Sequence, residues 1–507
     1  MIHDTVTIMS LLTTDTNTAS IRANDRRRWI ALVVLCAGFL MIILDQTIVN
    51  VALPSIQSDL GFTQSSLAWV VNAYLIAFGG LLLLAGRIGD LIGRRRIFMI
   101  GLAVFVGASV LCGLAESQSV LVGARFVQGV GGALTSAVIL GMIVTMFPEP
   151  RERAKAIGVY SFVAAAGASI GLLLGGVITE AINWHWIFFV NLPIGIATAL
   201  LAVRLVDRDA GIGLAKGADV LGAGLLVGAL MLGVYTIVET TQYGWGSAHT
   251  LGLGGIAVAL LASFVVREAR AATPLVPLGI FRSRNMAGAN LIQALMVAGM
   301  FGMFFLGAIY LQQVLGYGAL EVGLAFLPVA VIIGALSLGA SARLNMRFGA
   351  RATLIPALAL MAGGLVLFAR SPVDASYVSD ILPAMVLLGT GAGLSFPSLM
   401  TLAMSSATHE DSGLASGLVN TTLQVGGALG LAVIATLSTT RTENLLAGGD
   451  SQAAALTGGF HLAFLVGAGL VIAAFGVALT VLRPAAALEE EAEPEPESAE
   501  LAYEKAA

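Results

Sequence analysis

Apolar residues in this chain do not alternate with polar ones. They run on for about 20 residues at a time, separated by short polar stretches, which is the length a helix needs to cross a bilayer while satisfying its own backbone. Fourteen such helices are predicted, over approximately 30–52, 67–85, 97–115, 120–146, 156–178, 186–204, 220–238, 250–266, 287–312, 323–342, 352–369, 380–402, 413–437 and 460–482. The fold class is therefore an all-α integral membrane protein.

Positive charge tests that count independently. With the N-terminus in the cytoplasm, every lysine and arginine of the 26 falls in a cytoplasmic tail or loop except Arg125, Arg370 and Arg441. A missed or invented helix would scramble this alternation. Both termini are expected to be cytoplasmic and the protein to sit in the inner membrane. Residues 1–28 and the acidic, Pro-interrupted segment 483–507 are expected to be disordered tails.

Composition agrees. Of 507 residues 57% are hydrophobic and 11% charged, where soluble domains carry about 25% charged residues; the mean hydropathy is +0.92. The net charge of −4 is spread over loops and tails, and no basic face suggests nucleic acid. Cys36 and Cys112 each lie in an apolar run without metal-ligand spacing.

The chain also repeats itself. Gly158, Gly167 and Gly171 recur at one constant offset as Gly417, Gly426 and Gly430. "QGVGGALTS" (Gln128 to Ser136) recurs as "LGTGAGLSF" (Leu388 to Phe396), and "GRIGDLIGRRR" (Gly86 to Arg96) has a decayed copy, "ARLNMRFGARA" (Ala342 to Ala352). Helices 1–6 thus correspond to helices 9–14. Two pseudo-symmetric six-helix bundles, 29–206 and 285–482, flank an insertion of two central helices at 207–284. Parallel repeats of this kind build one large class of transporters, with the site between the halves.

Several motifs carry a family resemblance. "GRIGDLIGRRR" resembles the helix 2–3 loop motif of the major facilitator superfamily, and "LVGARFVQGVGGA" (Leu121 to Ala133) is similar to its helix-4 motif. "GASIGLLLGG" (Gly167 to Gly176) resembles the helix-5 antiporter motif, although Leu172 stands where proline is usual. "LDQTIVNVALPSI" and "WHWIFFVNLPIG" resemble the fourteen-span drug:proton antiporter branch. The resemblance implies the major facilitator fold, helix packing through Gly167, Gly171, Gly175 and Gly176, and a cytoplasmic latch. That latch would comprise Gly86, Asp90, Gly93, Arg94 and Arg95, with Asp411 as the partner offered by helix 13. On the residues alone, Asp90 could equally cap the helix that follows it.

The residue that most needs a purpose is Asp45, in "MIILDQTIVNVALPSI" (Met41 to Ile56). An aspartate at a helix centre costs roughly 2.5–3.5 kcal/mol on insertion scales. It lies about 22 Å up helix 1, roughly 8 Å short of the outer face, and Arg125 lies about 9 Å below that face. The two charges share a depth. A static ion pair or snorkelling would suit that depth; intramembrane ionisable residues more often line pathways. Asp45 and Arg125 are therefore the expected proton-coupling pair. Gln293 and Asn420 are cavity candidates because helices of those ordinals face the cavity in the family, and Asp45, Asn72 and Gln424 join them.

The function these readings imply is proton-driven export of amphiphilic, often cationic, small molecules by a monomer. No cofactor is expected beyond the proton gradient, and no GxxxxGK[ST] motif suggests an ATP-driven pump. No nucleophile–base pair suggests an enzyme. Two alternatives stand beside it: an exporter dedicated to one endogenous lipid, siderophore or antibiotic, and a receptor or scaffold that no longer transports.

Overall fold

The computed structural model describes residues 2–209, 211, 213, 217–405 and 412–483. Its helices are α1 (Ile2–Leu60), α2 (Gln64–Ile92), α3 (Arg94–Gly113), α4 (Gln118–Met146), α5 (Pro150–Ala181), α6 (Trp186–Phe189), α7 (Asn191–Leu205), α8 (Val220–Tyr243), α9 (Ala248–Arg270), α10 (Arg284–Gln313), α11 (Ala319–Ala335), α12 (Ser341–Phe348), α13 (Ala350–Phe368), α14 (Leu382–Met404), α15 (Ser412–Ala447) and α16 (Gln452–Thr480). No strand occurs among the described residues.

Among the described residues, twelve helical segments are long and apolar enough to cross a membrane, α6 and α7 together making one of them. Two shorter apolar segments, Ile170–Ala181 and Ala319–Ala335, lie where the sequence predicts its fifth and tenth spans. The chain is a multi-pass membrane protein. Helical backbone begins at Ile2, where a disordered tail over 1–28 is expected from the polar composition. Extending an existing helix needs no new nucleus, so a polar segment can continue one that the membrane span has started.

Polar residues at the breaks set the helix starts. Thr63, Ser117, Asp219, Ser247, Ser283 and Ser451 each accept a bond from a backbone N–H in the first turn of α2, α4, α8, α9, α10 and α16 respectively. The repeat is visible in two turns. Gly93 (φ +106°) joins α2 to α3 and Gly349 (φ +85°) joins α12 to α13. Each donates its N–H back four residues, to Gly89 and Asn345. Only glycine takes up such a φ without strain.

Packing repeats as well: α1 lies on α5 and α3 on α4, as α10 lies on α15 and α13 on α14. The bundles meet where α2 faces α15, α5 faces α11 and α1 touches α10. Small residues make these approaches possible. A Cβ on Gly176 would come within 2.7 Å of the Leu320 Cα, and one on Gly323 within 2.6 Å of the Leu172 carbonyl oxygen. Among the described residues, four hydrogen bonds join the bundles at the end that carries Gly61. Gln312 donates to the Val51 carbonyl (3.0 Å), Gln313 to Gln57 (2.8 Å), the Leu320 N–H to Glu180 (3.0 Å) and Gln64 to Ser438 (3.4 Å).

The central pair, α8 and α9, pack on each other. The pair is seated on the bundles chiefly through α8, which touches both α2 and α15. Most of the apolar face of α9 is left uncovered, as lipid contact requires.

Candidate functional site: a buried charge network in the first bundle

Asp45 and Arg125 are joined directly. An Nη1 proton of Arg125 is donated to Asp45 Oδ2 at 2.5 Å, and both side chains are buried to within 1%. Two helices beyond α1 bond the carboxylate directly, and two more hold its partners. On α4, Gln128 sits one turn after Arg125. Its amide donates to Asp45 Oδ1 (2.7 Å) and to Ser109 Oγ (2.9 Å), while its carbonyl accepts from Arg125 (2.6 Å). From α7, Asn191 Nδ2 donates to the same two acceptors at 3.0 and 3.2 Å. Ser109, on α3, can accept both amides because its own hydroxyl is turned to the Phe105 carbonyl (2.8 Å). From α2, the Val70 carbonyl accepts Arg125 Nε (2.9 Å).

The guanidinium lies over the Tyr74 ring at 4.4 Å, a contact worth about 2 kcal/mol once desolvated. Among the described residues, Asp45 thus accepts three hydrogen bonds, from Arg125, Gln128 and Asn191. Removing one member of such a buried pair costs about 3–5 kcal/mol, because the remaining charge is stranded.

The other candidates fall into three groups. Gly167, Gly171 and Gly175 face α1. A Cβ on Gly167 would press on Leu40 and Ile43, one on Gly171 would overlap Thr47 Oγ1, and one on Gly175 would meet the Ile48 carbonyl oxygen. Gly176 faces α11 instead, on the far side of the same helix. Leu172, where proline is usual, is buried in an uninterrupted helix.

Among the cavity candidates, Gln424 packs against Gly79 of α2, at the seam between the bundles. Asn72 lies two turns before Gly79 on the same stripe of α2. Both amide atoms of Asn72, and the side-chain carbonyls of Gln293 and Gln424, are buried without a hydrogen-bond partner among the described residues. Buried polar atoms are ordinarily paired, so these are open positions for a ligand or water. Asn420 is exposed and donates to the Ser416 carbonyl. Asp45 faces none of this seam; it is enclosed within its own bundle.

In the loop motif, Arg94 grips Asp90 with two bonds (2.9 and 3.0 Å) and donates to the Gly141 carbonyl at the end of α4 (3.0 Å). Arg95 donates to the Val203 carbonyl (2.5 Å). A Cβ on Gly86 would only touch Ala137. Asp411, the expected partner across the halves, lies outside the described residues. The start of α3 is capped by Asp209, whose carboxylate accepts the N–H groups of Arg94 (2.6 Å) and Arg95 (3.2 Å). Asp90 does not cap it, because Arg94 reaches back one turn and occupies that carboxylate.

Sequence reasoning singled out the charges and missed Gln128, Ser109, Asn191 and Asp209 as site residues. The available signal was a polar side chain inside an apolar run, as in the "FFVNLPIG" around Asn191.

A helical membrane protein made of two repeated bundles, with open polar positions at the seam between them, has the architecture of a secondary transporter. The sequence profile described as Major Facilitator Superfamily matches residues 35–431. The chain is 41% identical over 478 residues to the puromycin resistance protein pur8 of Streptomyces alboniger, covering 92% of this chain and 94% of that one. It is 39% identical over 417 residues to the cephamycin export protein CmcT of Amycolatopsis lactamdurans, covering 82% and 85%. Among solved structures, a bacterial homolog of the human lysosomal transporter Spinster, in an inward-facing and unoccupied conformation, superposes with a TM-score of 0.66. That match is at 15% identity, over 93% of this chain and 99% of that one. This chain belongs to the Major Facilitator Superfamily.

Proposed function

We propose that the protein is a proton-coupled exporter of amphiphilic small molecules, antibiotics among them, and that Asp45 is the group that carries the proton. The observation that carries this reading is the contrast between the buried Asp45–Arg125 pair and the second bundle. Packing alone does not require the charges, since the matching positions of α14 are the buried Met385 and Leu388. Desolvating two ions is costly, and intramembrane ionisable groups serve pathways. The amide atoms of Asn72 and the side-chain carbonyls of Gln293 and Gln424, without partners among the described residues, support a substrate-contacting seam between the bundles. The resistance and export named for pur8 and CmcT support the class of cargo.

The reading includes fourteen spans, α5 and α11 among them, in bundles 29–206 and 285–482 around the insertion 207–284. Both termini are cytoplasmic, in a monomer of the inner membrane. In that orientation the hydrogen bonds at the Gly61 end close the outer side, and substrate is drawn from the cytoplasmic side. A narrower reading, export of one antibiotic only, is favoured by the single compounds named for the two relatives.

The test is a growth-inhibition panel in a pump-deficient bacterial host, with and without a protonophore. Protection against several unrelated amphiphiles that disappears with the protonophore is expected. Protection against one compound alone selects the narrower reading, and protection untouched by the protonophore overturns proton coupling.

A further inference from the structure

The network around Asp45 can be followed atom by atom. Arg125 has only donors. Gln128 has a carbonyl, but it is held by Arg125 at 2.6 Å and faced by the Cys112 thiol at 3.6 Å. Ser109 spends its proton on the Phe105 carbonyl. Asn191 is different. Its Nδ2 serves Asp45 and Ser109, while its Oδ1 is fully buried and has no partner among the described residues. A carboxylate needs a donor from that amide, and a carboxylic acid needs an acceptor. The other titratable or charged groups facing Asp45 are Arg125 on α4, Tyr74 on α2 and Cys112 on α3. At this depth α5 presents Gly171 and Gly175 to α1.

We infer that Asn191 is the positioning residue that registers whether Asp45 carries a proton, by reversing its side-chain amide. The inference rests on Asp45 being the proton-carrying group. With Asp45 ionised, the amide stands as observed. When Asp45 Oδ1 gains a proton, a half-turn of the Asn191 amide puts Oδ1 where Nδ2 stood, accepting the new O–H. Ser109 can swing its hydroxyl from the Phe105 carbonyl to the same oxygen. The two N–H groups then take the place of the former unpartnered oxygen and need acceptors of their own there. A shift of the junction that Asn191 heads, between α6 and α7, is the response expected if that place offers none. Protonation at α1 is passed in this way to α7.

Infrared difference spectroscopy on acidification, with purified protein in liposomes, tests this. Wild-type protein should show the carbonyl band of a hydrogen-bonded carboxylic acid, and Asp45→Asn should lack it. In Asn191→Leu the band should persist at higher frequency, as expected for an acid without an acceptor. Wild-type protein labelled with 13C-asparagine should also show an amide carbonyl gaining a hydrogen bond, a readout independent of whether the variant folds. A band that keeps its frequency in Asn191→Leu, or no asparagine signal in labelled wild type, overturns the role of Asn191 and leaves Asp45 as proton carrier. A band that survives in Asp45→Asn overturns the assignment of Asp45 itself.

Discussion

Where the first bundle seats Arg125 and Gln128 on α4, the second seats Met385 and Leu388 on α14, at the same repeat offset and equally buried. The partner helices differ likewise. Gly171 packs on Thr47 and its repeat mate Gly430 packs on Ala298, so the buried Met296 stands where Asp45 does. Farther along, the second bundle is filled by rings: Phe368 lies 4.6 Å from Phe464, and Tyr310 lies 5.9 Å from both Phe368 and Phe460. One backbone scheme therefore accepts either an ionic or an apolar interior. The ionic interior is a chemical choice of the first bundle, and transport is where its purpose should be sought.

The largest expected effect comes from stranding a charge. Arg125→Met leaves Asp45 buried with only neutral donors, and should lower stability by about 3–5 kcal/mol and abolish export. Thermal unfolding in detergent reads the first effect and drug accumulation in cells the second. A native melting curve for this variant would mean that Asp45 is not held as an ion.

Copying the second bundle into the first sharpens the point. Asp45→Met, Arg125→Met and Gln128→Leu together should recover most of that stability, since an apolar replacement of a buried pair is often neutral or stabilising by about 1–4 kcal/mol. Export should remain absent. Export in this triple variant would make the pair dispensable.

Where the bundles agree, substitutions should act alike. Gly171→Ala collides with Thr47 and Gly430→Ala with Ala298, and each should cost roughly 1–3 kcal/mol from overpacking. A loss in one bundle only would show that the helix contacts are less equivalent than their spacing suggests.

The smallest effect concerns the loop motif. α3 has its first N–H groups held by Asp209, while α13 has no side-chain cap on its own flanking Gly349. Asp209→Ala should cost about 1 kcal/mol, the usual value of a lost cap, measured by thermal unfolding. No loss would assign the holding of that turn to Gly93 and the Asp90–Arg94 pair.

Much of this was legible beforehand because a bilayer imposes simple rules. Apolar runs located the helices, and the glycine series revealed the repeat. A charge within an apolar run stands out, so Asp45 and Arg125 could be found and matched by depth. Their neutral partners could not. An amide or hydroxyl in a membrane helix is common, and nothing in one dimension tells that Ser109, Gln128 and Asn191, on three helices, converge on one carboxylate. Asp209 was hidden for a similar reason: its capping role exists only because the connection after α7 folds back onto the loop between α2 and α3. The enclosure of Asp45 also depends on tertiary packing, and it separates the ionic network from the seam that carries Gln424.

The central claim is that Asp45 couples protons to export from within its own bundle. Proteoliposomes containing wild type or Asp45→Asn, loaded with a pH-sensitive dye, measure it directly when a cationic amphiphile is added with no imposed gradient. Wild type should move protons against the substrate. Asp45→Asn should exchange labelled for unlabelled substrate while moving none. Substrate-linked proton movement of normal size in Asp45→Asn would contradict the account and send the search for the coupling acid elsewhere.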